Sequence, residues 1–185
     1  MWGKKLLIPE VAILLVLTFA ASVSIAAEKQ TPLQTKSPAR NIDQANDITQ
    51  YAIKAGMTSC AGRINQVTNF LLAGSQGSGA MVFLPNANPD THLFSASIEI
   101  PLGNQSAYAS VSFAPIQAGG CDGMYETVVY WPQNCAQVAE RQFGAFQKAN
   151  ALAKTIAVRE SGATVKVFLM PAGAGCVSIK KEVVR

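Results

Sequence analysis

Apolar and small polar residues alternate with a period of two through the middle of the chain. Phe94, Ala96, Ile98 and Ile100 fall on one side of an extended stretch, and Ser95, Ser97 and Glu99 fall on the other. Ala109, Val111 and Phe113 repeat the pattern against Ser110 and Ser112. Such alternation marks strands with one covered and one open face. Four successive strands are predicted: Ala80–Leu84, His92–Leu102, Tyr108–Ile116 and Met124–Trp131. Turn-forming stretches separate them at Pro85–Asp90, Gly103–Ser106 and Ala118–Gly123. The spacing predicts an antiparallel meander.

The period changes on either side. Ile53, Met57, Cys60, Ile64, Val67 and Leu71 recur at steps of three and four, so Asp47–Leu72 reads as a helix with Asp47 as its cap. Gly56 and Gly62 each weaken its interior by about 1 kcal/mol relative to Ala. A break is expected near Gly56, with the helix continuing from Met57. After the meander, Asn134 and Gln137 are spaced as a capping box. Cys135, Val138, Ala139, Phe143 and Phe146 then supply an apolar helix face. Ile156–Arg159 is an optional short strand; a clearer one is expected through Val165, Val167 and Leu169, and a last one around Cys176–Lys180, making two or three C-terminal strands. The predicted fold is α+β: a mainly antiparallel sheet of about six strands, a four-strand meander plus C-terminal strands, covered on one face by two helices.

Lys4 and Lys5 precede an uncharged run, Val11–Ala27, that ends near the small-x-small site Ser24-Ile25-Ala26. That layout is a secretory signal peptide over residues 1–26. The run is at the short limit for spanning ~30 Å of hydrocarbon, so an uncleaved anchor is the alternative. Membrane contact is expected only in that case. Residues 27–46 are polar, contain Pro32 and Pro38, and read as a flexible linker. Residues 47–185 form one α+β domain. The protein is therefore expected to be secreted or periplasmic.

Four cysteines in an exported chain suggest two disulfides. Cys121 precedes the fourth strand and Cys135 follows it. Eight strand residues span roughly 26 Å, whereas a disulfide tolerates ~7 Å between Cα atoms. That disfavours Cys121 with Cys135. Cys60 stands ~18 Å up a helix that must end at the far side of the sheet. Cys60 with Cys121, and Cys135 with Cys176, are the preferred pairs. A strand at Ile156–Arg159 would reverse the last step of this argument.

Composition narrows the function. Charged residues are 14% of the 185 residues, well below the usual quarter. The net charge is +4, and removing Lys4, Lys5 and Glu10 with the first 26 residues leaves +3. That excess is too small and scattered for nucleic acid. No CxxC pair points to redox chemistry or zinc. The lone histidine, His92, has the parity of Phe94 and is expected at a strand end facing the core. The run Gly74–Gly79 leaves a helix and enters a strand, the wrong polarity for a phosphate loop. Ser178-Ile179-Lys180-Lys181 matches only the bare S-x-x-K pattern, without its partner motifs. No cofactor or metal is expected, and no catalytic constellation is visible.

What remains is a surface. Ser95, Ser97, Glu99, Ser110 and Ser112, flanked by Tyr108, Tyr130 and Glu126, would form a smooth face beside aromatics, a pairing suited to recognition. The function expected is a small exported disulfide-bonded binding or accessory protein whose partner is another exported or envelope protein. The alternative is a small exported hydrolase using Asp122 and Glu126, since two carboxylates can perform acid–base work on a glycan.

Overall fold

The structure, a computed structural model, describes residues 45–117 and 119–185. The expected signal peptide and most of the expected linker lie outside the described residues. Ala45 and Asn46, expected as the linker's end, already belong to the packed fold. Ala45 is buried. Asn46, not Asp47, caps the first helix, α1 (Asp47–Lys54), by accepting a bond from the Thr49 N–H. Its side-chain amide donates to Thr68 and Asn69 of α2 (Ala61–Leu72), so one side chain joins two helices.

The expected helix over 47–72 is thus two helices. Gly56 stands at φ +96°, a conformation that only glycine adopts without strain. Its N–H donates to the Ile53 carbonyl, and the Met57 N–H donates to that of Ala52. These two bonds are a Schellman ending, which stops α1 and turns Met57 into the core. The helix resumes at Ala61 rather than at Met57. Asp90, from a distant turn, accepts bonds from Thr58 Oγ1, Ser59 N and Ser59 Oγ and so pins the connector.

Among the described residues the sheet has eight antiparallel strands. The meander is β1 (Gly79–Phe83), β2 (Phe94–Leu102), β3 (Gln105–Pro115) and β4 (Cys121–Trp131). After a short helix, α3 (Cys135–Arg141), come β5 (Gln147–Ala149), β6 (Ala157–Ser161), β7 (Val165–Ala172) and β8 (Gly175–Val184). The order across the sheet is β1-β2-β3-β4-β8-β7-β6-β5. Two helix-then-meander halves therefore meet along one seam, where Trp131 of β4 lies opposite Cys176 and Gly123 opposite Val184. The strand count is eight rather than six because β5 and a full-length β6 exist. Phe143 and Phe146, expected in the second helix, lie beyond its end and pack edge to face.

The helices do not cover a whole face, and among the described residues there are three α-helices rather than two. α1 and α2 bury Phe94, Ile98, Val111 and Phe113 beneath Met57, Ile64 and Leu71. α3 packs Val138 and Ala139 on Val167, Leu169 and Cys176. Between these patches Thr127, Val129, Lys180 and Glu182 along the seam remain partly exposed. Gly123 lies beneath the Phe113 ring, where an added Cβ would come within 2.4 Å of it.

The structure pairs Cys60 with Cys121 and Cys135 with Cys176, each with 5.0 Å between Cα atoms. The second pair forms although β6 is a real strand. β5 accounts for this: the two extra strands reverse the chain twice, so β7 descends after all and β8 carries Cys176 back beside α3.

Candidate functional site

Strand register places all eight predicted surface residues on the side of the sheet facing away from the helices. Ser97 lies opposite Ser110, Ser95 opposite Ser112, and Glu99 opposite Tyr108. Ser110 is in turn opposite Glu126, and Tyr130 follows two positions beyond Val128 on the same side. The residues form one continuous area across β2, β3 and β4.

Its hydroxyls are largely occupied. Ser95 donates to the Val111 carbonyl at 2.8 Å and lies 3.3 Å from Ser112 Oγ. Ser97 and the Tyr108 hydroxyl are 2.9 Å apart, and Ser106 donates to Glu99. Glu126 is ion-paired with Lys181 at 3.0 Å. Lys166 pairs with Glu160 further along the same row. The polar part of the face is thus self-satisfied and close to neutral.

The part of this face that sequence reading missed is apolar. Register aligns Tyr108, Val128, Ile179, Phe168 and Val158 in one row across β3, β4, β8, β7 and β6. A second row holds Tyr130, Val177 and Met170. Tyr108 and Tyr130 are 45% and 46% exposed, and Val128, Ile179, Val177 and Phe168 are partly exposed. The signal was present in β8, where Val177, Ile179 and Val183 alternate with Ser178, Lys180 and Glu182. It becomes a surface only once β8 pairs with β4.

A polar cluster lies on the helix side of the same seam. The Tyr125 hydroxyl donates to Glu182 and accepts from Lys180 Nζ at 2.9 Å. Lys180 Nζ is also 3.0 Å from Glu182 and 5.7 Å from the centre of the Phe70 ring. Burial, then the bond to Glu182, pushes the Tyr125 hydroxyl up. Burial acts against the Lys180 charge, but the bonds to Tyr125 and Glu182 outweigh it and hold the ammonium above its ordinary range. Burial likewise opposes the Glu182 charge, and the same two partners hold that carboxyl below its ordinary range. Every member is paired, so the cluster locks α2 to the seam.

The acidic pair of the hydrolase alternative is not brought together. Asp122 and Glu126 stand four residues apart on one strand, about 13 Å along it. An acid–base pair on a glycan needs about 5–9.5 Å, and Glu126 is already bound to Lys181. His92 lies before β2 and is exposed, not turned to the core. The pleat ends at Phe94, so parity carried past that residue fails. No group of three metal-ligating side chains occurs among the described residues. No described helix is long and apolar enough to cross a membrane. No family model, curated protein or solved structure matches the chain.

Proposed function

We propose that this chain is an exported, disulfide-bonded binding or accessory protein, and that the open face of its sheet receives a folded partner protein. One observation carries the reading: the row Tyr108–Val128–Ile179–Phe168, partly exposed and in register across four strands. A solvated sheet face does not need such a row, and contiguous exposed apolar surface marks interaction sites. The surroundings suit the same role. The serine area and the paired charges Glu126–Lys181 and Glu160–Lys166 border the apolar rows along one side. Eight strands at about 4.8 Å spacing make the face roughly 38 Å wide. That width accommodates the ~800 Å² per partner of a stable interface. The partner is expected among exported or envelope proteins, because two disulfides suit an oxidising compartment.

The test replaces the row without disturbing the pairing. Phe168 and Ile179 are directly opposite, so Phe168→Glu with Ile179→Lys exchanges an apolar pair for a cross-strand ion pair. The double variant should keep its disulfides and its cooperative melting. It should lose a stoichiometric partner that the native protein recovers from the extracellular or periplasmic fraction. Retention of that partner by the folded variant places the contact elsewhere.

A further inference from the structure

The two outer strands of the sheet differ in a way that points to a second site, at the sheet's edge. β5 is three residues long and carries Lys148 at its centre. Short, charged edges resist pairing with other chains. β1 reads Gly79-Ala80-Met81-Val82-Phe83, with no charge and no proline. Met81 and Phe83, 65% and 52% exposed, belong to the open face opposite Ser97 and Ser95, while Ala80 and Val82 turn to the helix side. One side of β1 pairs with β2. Its other side makes no backbone hydrogen bond among the described residues.

Beside that edge lies a cleft of about 560 Å³ between α1 and β1. Ile48, Leu72, Val82 and Ile98 supply its apolar lining, with Tyr51 at the side. Among the described residues, Asp47 is the one charged residue that lines it. We propose that β1 accepts an extended polypeptide segment as a ninth strand, which sets alternate apolar side chains into this cleft and a lysine or arginine against Asp47. Backbone pairing supplies affinity in such strand addition, and pockets for alternate side chains supply selectivity. The acidic mouth selects the basic residue by charge. A second copy of this chain fits less well. Two β1 strands paired edge to edge make a contact only about 17 Å long, too small for the ~800 Å² per partner of a stable dimer. Such pairing would also bring two Asp47 mouths together without a counter-charge.

The test uses the full oxidised chain and three synthetic peptides: Lys-Val-Thr-Val-Thr-Val-Thr, the same sequence with Glu for Lys, and the same with Pro for the central Val. Titration calorimetry reads affinity, and amide hydrogen exchange reads protection of residues 79–83. The lysine peptide should bind and slow exchange across β1. The glutamate peptide should bind about fivefold more weakly or worse. The proline peptide should fail to protect, because it lacks a ladder donor. Ala80 lines the cleft and is exposed, so Ala80→Lys should abolish binding and leave melting unchanged. Asp47→Asn should erase the preference for lysine over glutamate while keeping residual binding of both. Absence of binding by the lysine peptide at millimolar concentration, with β1 amides exchanging freely, overturns the proposal. So does protection of β1 without peptide. If that protection grows with protein concentration, the occupant is a second copy. If it is independent of concentration, the occupant is the chain's own preceding segment.

Discussion

The two halves of the sheet follow one plan and are stabilised differently. Each begins with helix, continues as a four-strand meander, and ties its helical part to the sheet with one disulfide. In the first half two helices bury Phe94, Phe113, Ile98, Met57 and Ile64 completely or nearly so. In the second half a helix of seven residues buries Val138 and Ala139 on Val167, Leu169 and Cys176. The first half therefore rests on a hydrophobic core, and the second leans on its disulfide and on the seam with β4. Repeating a chain order does not repeat an energy distribution, because each half's stability follows the apolar area its own helices cover.

The most severe way to break the comparison is to empty each core. Phe94→Ala should cost about 3–5 kcal/mol and Leu169→Ala about 2–5 kcal/mol. The first should lower global stability in denaturant titration. The second should open mainly β5–β7, seen as faster amide exchange there while β2 and β3 stay protected. Equal loss of protection in both halves would show that they unfold as one unit.

Removing a disulfide sharpens the same contrast. Cys135→Ser with Cys176→Ser, or Cys60→Ser with Cys121→Ser, should each cost about 2–4 kcal/mol. Only the first pair should detach its helix at mild denaturant, since α3 has the smaller core beneath it. Near-ultraviolet circular dichroism of Phe143, Phe146 and Trp131 against far-ultraviolet signal would report that step.

A smaller effect concerns the seam itself. Tyr125→Phe removes the hydroxyl that joins Lys180 to Glu182 and should cost about 1 kcal/mol. The folded pKa values of Tyr125 and Lys180 are both raised. Their contribution is therefore complete below about pH 10, the ordinary range of these groups. It is lost as pH rises through the folded values. Melting curves of the native protein should fall in that window, and those of Tyr125→Phe should fall less.

The smallest effect belongs to the Asp90 clamp in the first half. Hydrogen bonds from Ser59, then from Thr58, hold its carboxyl below the ordinary range. Its contribution is present above about pH 4 and fades as pH drops through the lowered value. Because Asp90 is largely solvated, Asp90→Asn should cost under about 1 kcal/mol at neutral pH and flatten the acid limb of a stability profile.

Much of the first half was legible because its strands carry both signals at once. Phe94–Ile100 alternate strictly, and Gly103 and Gly119 mark turns at positive φ. β5 was not legible, since Gln147-Lys148-Ala149 has neither length nor alternation and becomes a strand only against β6. Asn46 as cap was missed because Asp47 is an equally good capping residue by type, and the choice is made by Thr68 and Asn69, twenty-odd residues on. The serine area of the open face followed from local parity. The apolar row did not, because Val128 and Ile179 become neighbours only through the seam. Tyr125 and Lys180 meet for the same reason.

The seam also sets a timetable. Its second strand, β8, is the last of the eight in chain order, yet it lies in the middle of the sheet. The first meander is synthesised complete with Cys60, Cys121 and the helices that cover it. β4 then waits with an open edge until Gly175 and its successors are made. At roughly 5–20 residues per second that wait lasts about 2–9 s, far longer than the microseconds of a hairpin's closure. Through those seconds the nascent chain presents an uncapped strand lined with Val128, Tyr130 and Trp131, and it has to be shielded until its own last strand arrives.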